Sequence, residues 1–97
     1  MSDLPRILLS EGQTLRLGNV LRVQVTDIDR VGVRLIAEGQ YLGGPEDGGS
    51  FSLARELALG SRVEFGPRVA LVLLRTEQRR ATFVLDAPTH LAPVVGK

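Results

Sequence analysis

The sequence contains no cysteine and no tryptophan, and only one histidine, one methionine and one tyrosine. Without cysteine the chain has no disulfide, no thiolate nucleophile and no cysteine metal ligand. The single histidine, His90, lies between Pro88 and Pro93 with no nucleophile or orienting partner recognisable around it, which makes it a poor general base. We therefore expect a binding protein and not an enzyme, with no cofactor, metal or small-molecule substrate.

Long hydrophobic runs are absent as well. No stretch approaches the roughly 20 apolar residues of a membrane-spanning helix, and the first residues lack the basic and apolar regions of a secretory signal. Together with the lack of cysteine, this leads us to expect a cytoplasmic protein. The chain has 97 residues, of which 43% are hydrophobic, so it is too apolar for disorder and short enough for one compact domain over residues 1–97.

The charges nearly cancel. Twelve basic residues face eleven acidic ones, which leaves a formal net charge of +1 and no general basic excess of the kind that binds phosphate without specificity. All the basic residues but Lys97 are arginine. Arginine suits bidentate and stacked contacts better than lysine, but a GC-rich genome produces the same preference, and the sequence leaves both explanations open.

Most of the chain alternates between apolar and polar residues in short runs, which are separated by Gly, Asp and Asn. This pattern predicts an all-β fold. In the run 31–37 we expect Val31, Val33, Leu35 and Ala37 to be buried, with Arg34 outside. The predicted strands are 7–10, 14–17, 21–26, 31–37, 62–65, 68–76 and 81–86.

Three segments are less clear. Residues 40–49 form a glycine-rich loop, but Glu46 and Asp47 and the absence of a Lys-Ser/Thr ending argue against phosphate binding. Residues 50–59 are compatible with a strand or with a short helix capped by Gly60. The run 69–74 is apolar on both faces, which predicts a doubly covered or interface strand, and the proline-containing tail 87–93 is expected to be extended.

The two halves of the chain can be aligned with each other without a gap. When Gly12 is placed on Gly60, Gly18 falls on Gly66, and the alternating apolar residues of 21–25 fall on those of 69–73. We call this alignment of the two halves of the sequence the half-chain alignment. Matched turn glycines and matched alternation predict an internal repeat over 7–48 and 55–97.

These motifs resemble the carbon storage regulator (CsrA/RsmA) family of small bacterial RNA-binding translational regulators. That family has a short apolar strand, then Gly-Glu-Thr-Leu-x-Ile-Gly, then a valine-rich hairpin ending near Val-Arg-Ile-Gly-Val-x-Ala-Pro. Similar stretches here are 7–10 (ILLS), 12–18 (GQTLRLG), 33–37 (VRLIA), 59–66 (LGSRVEFG) and 85–88 (LDAP). The resemblance covers most of the chain, although each motif is short.

The resemblance implies interleaved antiparallel sheets or a barrel, formed as a single-chain pseudo-dimer of two repeats of about 48 residues. It also implies binding of single-stranded or hairpin-loop RNA carrying GGA. Residues 51–56 (FSLARE) are similar to the family's last strand, which places Arg55 on its main RNA-contacting arginine. The expected RNA-binding residues are Arg55, Arg34, Arg16, Phe51 and Leu53.

Departures from the family pattern favour a second possibility. The family's first strand ends in Thr-Arg-Arg, whereas this chain has Ser10 and Glu11 there, and the stretch 91–95 carries no second arginine. The alternative is a structural or protein-interaction module that has lost RNA binding and that contacts a protein partner through a sheet edge. Asp27, Asp29 and Glu77 lie on predicted turns, where such side chains usually bond their own backbone.

Overall fold

The computed structural model describes residues 4–41, 44–45 and 47–96, which form nine β-strands. Glu46, one of the acidic residues of the glycine-rich loop, lies outside the described residues. In this part of the chain no helix is long and apolar enough to cross a membrane. The all-β prediction is confirmed. The strands are β1 (Arg6–Ser10), β2 (Thr14–Leu17), β3 (Leu21–Ile28), β4 (Gly32–Gln40), β5 (Ser50–Ala58), β6 (Arg62–Glu64), β7 (Ala70–Glu77), β8 (Arg80–Asp86) and β9 (Pro93–Gly96).

The strands form two antiparallel sheets. The four-stranded sheet has the order β1-β8-β7-β6 and the five-stranded sheet has the order β5-β4-β3-β2-β9. One apolar cluster joins residues from both sheets, because alternate residues of each strand point to the same face. Its fully buried large side chains are Leu9, Leu15, Leu17, Val23, Val25, Leu35, Phe65, Leu71, Leu73, Phe83 and Leu85.

The start of β4 differs from the prediction. Val33, Leu35 and Ala37 are buried as expected and Arg34 is exposed, but Val31 is 69% exposed. Val31 precedes the strand and belongs to the turn, where the Asp29 carboxylate accepts hydrogen bonds from the N–H groups of Val31 and Gly32, both at 2.9 Å. The alternation of a strand therefore does not apply to this residue.

Three other segments are resolved by the structure. The ambiguous 50–59 segment is a strand, since Ser50–Ala58 pairs with β4 along its whole length. The run 69–74 is not covered on both faces, because Val72 is only half-buried and Leu74 is 40% exposed. The tail contains a strand that the sequence did not predict: Pro93–Gly96 pairs with β2.

The strand pairings follow one rule in both sheets. The half-chain alignment converts each pair between β1 and β8 into a pair between β5 and β4. Two such correspondences are Ile7–Phe83 with Arg55–Leu35, and Leu9–Ala81 with Leu57–Val33. The first strand of each aligned half thus pairs with the last hairpin strand of the other half.

The hairpins also correspond under the half-chain alignment. Leu15 pairs with Val23 as Val63 pairs with Leu71. Each long hairpin has a register shift at the equivalent place, between Val25 and Asp27 in one and between Leu73 and Arg75 in the other. Backbone hydrogen bonds at the two turns also correspond. The N–H of Gly12 donates to the carbonyl of Val25, and the N–H of Gly60 donates to the carbonyl of Leu73, both at 2.7 Å.

One strand breaks the correspondence. β2 is covered on its outer side by β9, whereas β6, its counterpart, ends the four-stranded sheet. The segment that follows the first hairpin, β5, pairs with β4 and not with β6. Among the described residues, the outer edge of β6 therefore has no strand beside it.

Candidate binding surfaces

The predicted RNA-binding arginines do not share one surface. Arg16 and Arg34 project from the outer face of the five-stranded sheet, on positions that alternate with buried neighbours. Arg55 pairs with the buried Leu35, which places it on the opposite, core-facing side of β5, at an exposed edge position. The structure therefore separates Arg55 from Arg16 and Arg34.

Phe51 and Leu53 share the core-facing side of β5 with Arg55. Both are partly buried and pack against the core cluster. Phe51 stacks on Phe65 with ring centroids 5.6 Å apart and contacts Tyr41 at 4.8 Å. These ring contacts connect the start of β5 with the residue that follows β6. Phe51 and Leu53 therefore contribute to core packing, and both are half-buried.

The position of Arg55 also bears on the resemblance. Under the half-chain alignment, Arg55 occupies the place of Ile7, a core residue of the first strand. The pairing thus relates β5 to β1, whereas the resemblance relates residues 51–56 to a last strand. The strand at the end of this chain is β9, and its described residues 93–96 include no basic side chain.

Two of the outer-face arginines are neutralised by neighbours. Arg34 donates to the Glu56 carboxylate at 2.6 Å, and this hydrogen bond raises the pKa of its guanidinium. Arg22 lies 3.5 Å from Glu38. Arg16 lies directly opposite Arg22 and takes part in none of the ion pairs among the described residues.

Glu11, which departs from the family pattern, has a structural role. Its carboxylate accepts a hydrogen bond from the N–H of Ile28 at 3.0 Å and lies 3.9 Å from the Arg79 guanidinium. Ile28 is at the end of β3, just beyond the bulge. Asp29 similarly bonds its own turn, as expected. In the described part of the chain no group of three or more His, Asp or Glu side chains is placed to hold a metal ion.

The edge of β6 is the surface that sequence reasoning did not single out. The carbonyl of Ser61 accepts from the N–H of Leu73, and the N–H of Phe65 donates to the carbonyl of Val69. Because backbone groups alternate in direction along a strand, the N–H and C=O groups of Arg62 and Glu64 point away from β7. These groups are the ones that an added strand would bond.

The side chains beside this edge are polar outside and apolar inside. Arg62 and Glu64 lie on the outer face, 3.1 Å apart, and Arg62 is also 3.8 Å from Asp86. Val63 and Phe65 face the core and are buried. In the sequence, the signal for this edge is that the half-chain alignment places 93–96 on 45–48, which belong to the glycine-rich loop and show no strand alternation.

The chain matches no known family model, no curated protein and no solved structure.

Proposed function

We propose that this chain is a protein-interaction module, which binds an extended segment of a polypeptide at the outer edge of β6. The observation that carries the proposal is the contrast between two strands that correspond under the half-chain alignment: β2 is covered by β9, and β6 has no strand on its outer side among the described residues. An exposed edge of this kind accepts a strand through main-chain hydrogen bonds, while its alternate side chains set the specificity.

The proposal includes a pseudo-dimer of two tandem repeats, of the kind that the carbon storage regulator resemblance implies. Support comes from the pairing registers, since the β1–β8 and β5–β4 registers coincide under the half-chain alignment. In a symmetrical pseudo-dimer each half would contribute a last strand to the other half's sheet. Among the described residues β9 alone does so, which leaves β6 as the incomplete position.

The pairing of β9 with β2 indicates what the β6 edge would accept. β9 is antiparallel to β2, with Val95 opposite the buried Leu15 and Val94 opposite Arg16. The equivalent positions on β6 are Val63 and Glu64. We therefore expect an antiparallel partner segment with an apolar residue opposite Val63 on the core side.

A synthetic peptide with the sequence of residues 89–96 (THLAPVVG) is a direct probe of this edge. Binding should slow hydrogen exchange at the N–H groups of Arg62 and Glu64, because these are the groups that point outward. Glu64→Pro removes one of the outward N–H groups without affecting a bond to β7, and it should abolish the protection.

Glu64→Val is the matched control, since it also loses the carboxylate but keeps the N–H. It should bind the peptide at least as well as the parent protein. If the peptide protects neither Arg62 nor Glu64, or if Glu64→Pro and Glu64→Val bind it equally, then strand addition at β6 is not the function.

RNA binding is the second candidate, and one observation favours it. Arg16 and Arg22 lie directly opposite each other on an exposed face. Arg22 already has Glu38 beside it, whereas Arg16 takes part in none of the ion pairs among the described residues, so a bound phosphate would supply the missing opposite charge. In this proposal the chain is a bacterial, cytoplasmic translational regulator with Arg16 and Arg34 near the RNA backbone and Arg55 as a separate contact.

Titration with an RNA hairpin carrying GGA in its loop, beside a scrambled-loop control and at two salt concentrations, tests this candidate. Specific binding that weakens steeply with salt, and that Arg16→Ala or Arg55→Ala reduces, would support it. Equal or no binding of the two hairpins would exclude loop-specific RNA recognition.

A further inference from the structure

The open edge of β6 is complementary to itself. Its three residues read Arg62, Val63 and Glu64, with a basic side chain at one end and an acidic side chain at the other. We propose that the partner of this edge is a second copy of the chain, whose β6 pairs antiparallel with the first across a two-fold axis at Val63. The inference rests on the proposed function of this edge and names its occupant.

The backbone fits this arrangement. With Val63 opposite the partner's Val63, Arg62 lies opposite the partner's Glu64 and Glu64 lies opposite the partner's Arg62. These two residues are the ones whose N–H and C=O groups point outward. An antiparallel pair exchanges both bonds between opposite residues, so the two-fold arrangement makes four main-chain hydrogen bonds and leaves Val63 at the closely spaced position between them.

The side chains fit the same register. Residues directly opposite each other in an antiparallel pair project from the same face, so each Arg62 meets a carboxylate of the other subunit on the outer face. A parallel, in-register pairing would instead oppose Arg62 to Arg62 and Glu64 to Glu64. The charge order of the strand therefore selects the antiparallel, isologous contact.

The intermolecular ion pairs would replace only weak ion pairs within each chain. Within one chain Arg62 contacts Glu64 and Asp86, but the Arg62 side chain is 48% exposed and the Glu64 side chain 60% exposed. Exposed ion pairs of this type contribute little to stability. Glu64 can consequently form an ion pair with the partner's Arg62, while Arg62 of the same chain stays close to the Asp86 carboxylate.

The contact is short, and this sets its strength. Three residues per strand form a small interface compared with those of permanent dimers. We therefore expect a concentration-dependent dimer in which two four-stranded sheets join into one continuous sheet. Folding of the single chain should not depend on this dimer.

Charge-reversal variants at the β6 edge test this proposal. Their self-association is measured by sedimentation velocity over a concentration series. R62E places two carboxylates opposite each other at both ends of the contact, and E64R places two guanidinium groups there. Each single variant should weaken self-association about tenfold or more, since like charges are then juxtaposed. The double variant R62E/E64R restores opposite charges and should dimerise as the parent protein does.

A mixture of the two single variants gives the sharpest result. In an R62E chain beside an E64R chain every opposed pair is again acidic with basic, so the mixture should form a heterodimer although each component alone is monomeric. Arg6→Glu makes the same charge change at β1, the other edge of the same sheet, and should leave self-association unchanged. Thermal unfolding of each variant verifies that it is folded.

The possible outcomes separate the two proposals. If the parent protein stays monomeric at every concentration, or if the mixture does not associate, the second copy is not the occupant. Protection of Arg62 and Glu64 by the 89–96 peptide in such a monomer would still support the proposed function. If the chain neither self-associates nor shows protection of Arg62 and Glu64 by the peptide, the β6 edge is not a binding site.

Discussion

Individual backbone positions show how closely β4 and β5 approach. Gly32 begins β4 and pairs with Ala58. A Cβ built on Gly32 would overlap the carbonyl oxygen of Leu57, which belongs to the backbone and cannot turn aside as a side chain can. Glycine is therefore required here by contact with the neighbouring strand.

We expect Gly32→Ala to lower the free energy of unfolding by about 1–3 kcal/mol, because the strands must separate to admit the methyl group. Chemical denaturation measures this change. Gly96→Ala is the control, since a Cβ at Gly96 has no atom within 4 Å. Equal stability of the two variants would show that β5 does not approach β4 as closely as described.

Glu11 supplies a second prediction at this scale. Its carboxylate accepts the N–H of Ile28 at 3.0 Å, so Glu11→Ala should cost about 1 kcal/mol, the usual contribution of one such hydrogen bond. Glu11→Gln keeps an acceptor oxygen and should cost less. The comparison, made by thermal unfolding, would contradict the structural role of Glu11 if the glutamine variant were as unstable as the alanine variant.

At the level of single residues, alternation predicted much of the burial but little of the candidate sites. The buried leucines and valines of β2 and β3 follow the apolar alternation of the sequence, whereas Thr14 is buried although it is polar. Val31 was predicted to be buried because it continues the apolar spacing of β4. It lies instead in the turn before the strand, where the Asp29 carboxylate accepts its N–H. Arg55 was assigned by resemblance, and only its pairing with Leu35 places it on the core-facing side.

Among the strands, β5 and β9 show the limits of a sequence pattern. β5 carries Leu53 and Leu57 at helical spacing as well as strand alternation, and only its pairing with β4 decides between them. β9 is exposed along its whole length, so it has no alternation between buried and exposed residues to predict it. The prolines of the tail predicted an extended segment over 87–93, but they do not indicate that it continues into a paired strand.

Removal of β9 by truncation after Ala92 tests its role as a cover for β2. The protein should remain folded and lose little stability, because every residue of β9 is exposed. The N–H groups of Thr14 and Arg16 should exchange faster with solvent, since they face β9. Unchanged exchange at these two residues would mean that β9 does not pair with β2 in solution.

For the molecule as a whole, apolar spacing predicted that the two halves align, and only the family resemblance implied that their strands interleave. Two aligned halves are equally compatible with two independent sheets and with an exchange of strands. The register settles this point, since β1 pairs with β8 and β5 pairs with β4. Long-range pairing of this kind cannot be read from local sequence, because it depends on which edges meet.

The exchange of strands predicts how the protein responds to a cut in its main loop. A protease site placed in the 40–49 loop would divide the chain between β4 and β5. The fragments should remain together in native buffer, because β1 of the first fragment lies in the sheet formed by the second, and β5 and β9 of the second lie in the sheet formed by the first.

Size-exclusion chromatography of the cut protein should give one peak at the position of the intact chain, and denaturant should separate it into two fragments. Each fragment alone has an incomplete sheet with apolar residues exposed, so neither should refold by itself, and mixing them should restore the complex. Separation of the fragments in native buffer would contradict the pairing of β1 with β8 and of β5 with β4, because these pairings hold strands of one fragment in the sheet of the other.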